Sequence, residues 1–129
     1  MGDQGVIYLD THAAVWLGDG EQSWLSRNAK KSLEMFDVRV SPAVMLELQF
    51  LHEKGKVRRS PASFWQDLED SLFARMCDLS FSRIVSAAAG ESWTRDPFDR
   101  LIVAHAKAND APLITADAEI LKHYPKALC

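Results

Sequence analysis

With 129 residues, 47% of them hydrophobic and 26% charged, the chain has the length and balance of one globular domain that can bury a core without disulfides. Its net charge of −3 argues against a protein that holds nucleic acid by bulk electrostatics alone. No apolar run is long enough to span a bilayer. Cys77 and Cys129 are too few for a disulfide framework and fit reduced thiols in a cytoplasm. His12, His52, His105 and His123 lack zinc spacing. The opening Met-Gly-Asp-Gln-Gly has no basic stretch followed by an apolar one, which argues against a secretory signal.

Residues 6–9 read as a short strand and 11–17 as a helix stopped by Gly18-Asp19-Gly20. Residues 26–36 read as a helix with Leu25, Ala29, Leu33 and Phe36 on one face. After a short strand at 38–40, Ser41-Pro42 pairs a Ser N-cap with Pro at the first helical position. That helix runs to about Lys54 and ends at Gly55. Ser60-Pro61 repeats the start signal for a helix to Leu72. Residues 75–79 are a weak strand candidate, and 81–89 a helix ending at Gly90. Asp96-Pro97 opens a helix to about Ala108, with Phe98, Leu101, Ile102 and His105 along one stripe. Residues 112–115 are the last clear strand. No repeat, low-complexity tract or linker divides residues 1–129, so they read as a single domain. Strands alternating with helices predict an α/β fold, a short parallel sheet flanked by helices on both faces. Ligands of such sheets bind beyond the carboxyl ends of the strands, where Asp10, Ser41 and Asp117 lie.

Acidic residues recur at those places. Asp10 follows a strand and precedes a helix, so it serves equally as an N-cap or as a functional acid, with Thr11 as a second oxygen. Glu47 sits in an otherwise apolar helix among Val44, Met45, Leu46, Leu48 and Phe50, and a part-buried carboxylate needs a partner. Asp96 is explained as an N-cap, and Asp99, three residues on, favours the helix dipole. The helix start they share adds a positive dipole end that suits a phosphate. Asp117 ends Leu-Ile-Thr-Ala-Asp and is either a turn cap or a functional acid, with Thr115 able to contact a phosphate or a metal-held water. Clustered carboxylates cannot all stay ionised without a cation, and oxygen ligands suit a hard divalent metal. That combination points to phosphoryl-transfer chemistry on a nucleic acid.

In the order and separation of four segments the chain resembles the PIN-domain ribonucleases, and most closely the VapC toxins of bacterial toxin–antitoxin pairs. The segments are Leu-Asp-Thr-His-Ala, the Ser-Pro helix bearing Glu47, Arg-Asp-Pro-Phe-Asp-Arg with its apolar helix, and Leu-Ile-Thr-Ala-Asp. The resemblance covers nearly the whole chain. It implies the PIN fold and an Mg²⁺- or Mn²⁺-dependent site that cleaves RNA. By matching motif, Asp10, Glu47, Asp99 and Asp117 are the four acids that hold the metal and carry catalysis. Asp99 is preferred to Asp96 because it stands a few residues before Ile102 and Ala104, which leaves Asp96 as a cap and outer contact. A small antitoxin and a homodimer are also implied. Family members often end with one more strand, and residues 126–129 leave it stunted or absent.

Lys54, Lys56, Arg58 and Arg59 form a basic loop that is either a solvated surface or an RNA-backbone contact. Arg95 and Arg100 bracket the Asp96–Asp99 turn and suit either phosphate or the carboxylates. Packing explains Trp16, Trp24, Trp65 and Trp93 better than base stacking does, and packing or capping explains His12 better than catalysis. A phosphatase of the haloacid-dehalogenase type wants Asp at position 12, where this chain has His, and a receiver wants an acidic pair at the first strand. A PIN module that binds nucleic acid without cleaving it would have lost acids, whereas all four are present. A housekeeping PIN nuclease without an antitoxin is the other alternative.

Overall fold

The computed structural model describes residues 5–129, so the signal-free reading of the opening falls largely on Met1 to Gln4, outside that range. Five strands form one parallel sheet: β1 Val6–Leu9, β2 Asp37–Val40, β3 Arg75–Met76, β4 Leu113–Ile114 and β5 Ala127–Leu128. Their order is β3-β2-β1-β4-β5, which puts β1 at the centre. Successive side chains of a strand point to opposite faces. Ile7, Tyr8 and Leu9 are all fully buried, so both faces of the sheet are covered, as the apolar runs predict.

The helices are α1 Thr11–Gly18, α2 Arg27–Met35, α3 Pro42–Glu53, α4 Pro61–Leu72, α5 Phe81–Ala88, α6 Pro97–Ala108 and α7 Ala118–His123. Ser26, Ser41, Ser60, Ser80 and Asp96 each cap a helix with a side-chain oxygen. Pro follows at the start of α3, α4 and α6, where its missing N–H has no intrahelical partner to lose. The α1 helix continues through Gly18 rather than stopping before it. A Cβ there would come within 2.9 Å of the Phe64 ring, so the glycine lets α1 approach α4. The reversal follows at Gly20, whose φ of +75° favours glycine. A second small core of Ile84, Ala88 and Ala104 joins α5 to α6.

Three elements depart from the sequence reading. The third strand is two residues long rather than five. A last strand does form, with Ala127 beside Leu113 and Leu128 beside Ile114. Residues 118–123 form a helix that the pattern did not announce.

The register aligns the strand ends. Leu9 pairs with Val40 on one side and with Ile114 on the other. The next residues, Asp10, Ser41 and Thr115, therefore emerge together at the carboxyl edge of the sheet, and all three are buried. No helix among the described residues is long and apolar enough to cross a membrane.

Candidate active site

The edge where β1, β2 and β4 end is acidic. Asp10 caps α1, with Oδ1 accepting from the Ala13 N–H at 2.8 Å. Its Oδ2 accepts the Thr115 hydroxyl, and that same Thr115 oxygen accepts from the Asp117 N–H at 2.9 Å. Asp10 thus has both the cap role and a place among the acids. Glu47, two turns or less into α3, is half-buried, and its Oε1 accepts the Thr11 hydroxyl at 2.5 Å. Thr11 and Thr115 each hold a carboxylate in place through the protein itself.

Asp96 Oδ1 accepts from the Phe98 and Asp99 N–H groups at 2.8 and 3.2 Å, which makes it the α6 cap the sequence predicts. Asp99 sits in the first turn of α6 and Asp117 caps α7, accepting from the Glu119 and Ile120 N–H groups at 2.8 and 3.1 Å.

The five carboxylates act on one another. Burial raises Asp99 most, then repulsion from Asp96, Asp117, Glu47 and Asp10, and together these push its pKa up to about 7. Burial also raises Asp10, opposed by its bonds from Thr115 and Ala13 and by His12, and reinforced by Asp117. Glu47 is raised by burial, with Asp96 and Asp10 adding to the rise and Thr11 and His12 opposing it. Among the described residues no Lys or Arg forms an ion pair with any of these five acids. Proximity of charge is not yet chelation, however. As the side chains stand, no three His, Cys, Asp or Glu residues among those described are grouped closely enough to hold an ion. Thr115 and Thr11 occupy one oxygen each of Asp10 and Glu47, and among the described residues a second oxygen of Glu47, Asp96 and Asp117 accepts no hydrogen bond.

The basic residues divide. Arg59 is committed to structure: it pairs with Asp19 at 2.8 Å and Asp67 at 2.5 Å, donates to the Gly18 carbonyl at 3.1 Å and lies over the Phe64 ring. Its guanidinium is therefore engaged within the protein, whereas Lys54, Lys56 and Arg58 are exposed positive charges of the same loop. Arg100 donates to the carbonyls of Thr94 and Ala89 instead of reaching the carboxylates. Arg95 is exposed and holds the Ser92 carbonyl at 2.9 Å with one nitrogen.

The tryptophans pack as expected. Trp16 and Trp24 meet at 4.3 Å, and Trp93 stacks on His123 at 5.0 Å. His12 keeps a ring neighbour but also faces the acids. It is exposed, lies 6.0 Å from the Trp16 ring and lowers the pKa of both Asp10 and Glu47. Its place two residues after Asp10 was the available signal. A cavity of about 500 Å³ lies by Gly5, Val6 and Pro112, at the starts of β1 and β4 and so away from the acids.

The PIN domain model matches residues 7–127, and the chain belongs to the PIN domain family. No curated protein matches the chain. Solved structures share its fold. A VapBC2 from Rickettsia felis bound to a DNA fragment from their promoter matches with a TM-score of 0.67 and 20% identity, over 95% of this chain and 96% of that one. A toxin–antitoxin complex from Klebsiella pneumoniae matches at 0.64 and 17%, over 95% and 96% of the two chains. A DNA-bound VapBC from Salmonella typhimurium matches at 0.55 and 15%, over 95% and 94%.

Proposed function

We propose that this chain is a divalent-metal-dependent endoribonuclease, the toxin of a toxin–antitoxin pair. The observation that carries the reading is the convergence of Asp10, Glu47, Asp96, Asp99 and Asp117 at one sheet edge without a paired Lys or Arg, which leaves Asp99 pushed up to about 7. Evenly spread surface acids would not raise one another in this way.

The donor set fits a hard cation, because every candidate ligand is a carboxylate or hydroxyl oxygen. Asp10, Glu47, Asp99 and Asp117 would hold Mg²⁺ or Mn²⁺. Such an ion supplies Lewis-acid polarisation of the phosphodiester and a water made nucleophilic at neutral pH.

The remaining work falls to the chain. Thr115 and Thr11 fix the carboxylates of Asp10 and Glu47 against their neighbours' repulsion. Asp96 satisfies the first N–H groups of α6, so that helix starts rigidly beside Asp99. The α6 start also presents its positive dipole end to an incoming phosphate. Asp99 can hold or release a proton near neutral pH, which lets it yield its proton as a cation or substrate enters. Lys54, Lys56, Arg58 and Arg95 supply exposed positive charge for the RNA backbone.

The neighbours' toxin–antitoxin assemblies support a small antitoxin partner. Its simplest inhibitory contact is an Arg or Lys placed among the acids in place of the metal charge. A homodimer accords with the resemblance as well. The test is sequencing of RNA ends after controlled expression of the chain, with Asp10→Asn as control. New ends that appear only with the unsubstituted chain support the reading, and identical end maps in the two cultures contradict it.

A further inference from the structure

The segment between α5 and α6 carries a buried carboxylate that lies outside the acid cluster. Glu91 is 7% exposed, and both of its oxygens are engaged. Its Oε1 accepts from the Trp93 indole Nε1–H at 2.9 Å, and its Oε2 accepts from Lys107 Nζ, in the last turn of α6, at 3.1 Å. An indole has one donor, so this bond fixes the tilt of the Trp93 ring. The next residue, Thr94, is tied to the start of α6. Its hydroxyl oxygen accepts from the Asp96 N–H at 3.1 Å, and its carbonyl accepts from Arg100 Nε at 2.8 Å. Trp93 is thus held as one body with the helix start that carries Asp96 and Asp99.

The face of the indole meets a different element. Trp93 and His123 lie nearly parallel, with ring centroids 5.0 Å apart and planes at 12°. His123 is the last residue of α7, and Asp117 caps the first turn of that helix. At six residues α7 is too short to be stable alone, so tertiary contacts set its direction. Thr115 holds its start through the Asp117 N–H, and Ile120 and Tyr124 are buried and keep it on the sheet. The stack on Trp93 joins its far end to the segment before α6. Direction matters here because Asp117 Oδ1 is bound by two N–H groups of α7, those of Glu119 and Ile120. The carboxylate therefore turns with the helix, and its other oxygen points where α7 leads it.

We infer that Trp93 and His123 are positioning residues for the acid cluster: their stack holds α7 against the start of α6 and so fixes the Asp117 carboxylate relative to Asp99. The inference rests on the divalent-metal reading, because a shared cation needs its carboxylates held to within about 0.5 Å. Asp99 and Asp117 belong to separate elements, and their repulsion works to part them when no cation is bound. The stack opposes that parting, since it bridges the same two elements from the other end of α7. Glu91 supports it by holding the indole face toward His123.

The test compares the full chain with His123→Ala, which removes the ring, and with His123→Phe. The latter keeps a flat ring for the stack but loses the 3.9 Å approach of the imidazole to Glu119. In chelator, amide exchange is followed at Glu119 and Ile120, which Asp117 caps, and at Tyr8 and Cys77, whose N–H groups bond within the sheet. The inference expects exchange at the two α7 amides to quicken about tenfold in His123→Ala and to return in His123→Phe, with the sheet amides affected far less. Calorimetric titration with Mn²⁺ should show affinity falling about tenfold in His123→Ala and recovering to within about twofold in His123→Phe. Should His123→Ala fail to fold, His123→Leu, which fills the space without a flat ring, takes its place. Exchange that quickens equally at Tyr8 and Glu119 would mark a general loss of stability and overturn the inference. Equal Mn²⁺ affinities in the three proteins, or a loss in His123→Phe as large as in His123→Ala, would overturn it as well and leave the metal reading standing. Absence of Mn²⁺ binding by the unsubstituted chain would remove the metal reading and this inference with it.

Discussion

The hydroxyl of Thr115, at the end of β4, donates to Oδ2 of Asp10, at the end of β1, across 105 residues of sequence. The bond exists because the two strands are paired neighbours, with Leu9 opposite Ile114. It steadies a carboxylate that burial and Asp117 would otherwise disfavour in its charged form. Thr115→Val keeps the shape and removes the donor. It should leave the fold intact at a cost of about 1–3 kcal/mol, the price of an unsatisfied buried acceptor. Mn²⁺ affinity should fall about tenfold, with Thr115→Ser restoring most of it. Calorimetric titration and urea denaturation of the three proteins check both numbers.

The acid cluster gives the metal-free protein a specific pH dependence. Asp99 has an ordinary value of 3.8 and is pushed up to about 7 in the fold. Below the lower value both folded and unfolded chains hold the proton, and the group contributes nothing. Between the two values the folded chain keeps a proton that the unfolded chain has released, so stability falls as pH rises, and above about 7 the full penalty stands. Asp10 and Glu47 are shifted in the same direction and add to the slope. Thermal melts in chelator should therefore decline from about pH 4 to pH 7, with Asp99→Asn declining less and melting higher at pH 7. Equal slopes for the two proteins would count against the charge crowding.

Asp96 and Asp99 should separate under the same substitution. Asn caps a helix about as well as Asp, so Asp96→Asn should keep α6 and lose activity modestly. Among the described residues nothing donates a hydrogen bond to the Asp99 carboxylate, and Asp99→Asn should lose RNA cleavage by about a hundredfold or more. Single-turnover cleavage rates of the two variants decide this. Comparable losses with both proteins folded would show that the wrong acid of the pair has been assigned.

How far the sequence carried depended on the range of each interaction. Helix starts at Ser41, Ser60 and Asp96 were legible because cap and proline act within one turn. The convergence of Asp10, Ser41 and Asp117 at one sheet edge was legible because a parallel sheet gathers its strand ends. What escaped was long-range. The two-residue β5 is a strand only because β4 lies beside it, and α7 is too short to show a period. Thr115 reads in the sequence as a contact to a phosphate or a metal-held water and Thr11 as a second oxygen beside Asp10, whereas each finds a carboxylate from a distant segment. Sequence groups Arg59 with its basic neighbours, while its ion-pair partners Asp19 and Asp67 come from α1's end and from α4.

That last assignment has its own consequence. Arg59→Ala should lower stability by about 1 kcal/mol, since both ion pairs are partly solvated, and should leave RNA cleavage unchanged. Replacing Lys54, Lys56 and Arg58 together by Ser should leave stability nearly unchanged and weaken RNA binding, with a shallower salt dependence. Denaturation midpoints and RNA binding at two salt concentrations distinguish the two groups. An Arg59→Ala protein that folds normally but loses RNA affinity would return that guanidinium to the RNA surface.

On the proposed reading, Asp10, Glu47, Asp99 and Asp117 together hold a divalent cation that promotes RNA cleavage. The most direct measurement is cleavage of a purified RNA by the full chain and by Asp10→Asn, each with Mg²⁺, with Mn²⁺ and with excess chelator. Cleavage by the unsubstituted chain is expected in either metal, none in chelator, and at least a hundredfold loss in the folded Asp10→Asn protein. Cleavage that persists in chelator, or that survives undiminished in Asp10→Asn, would contradict that reading.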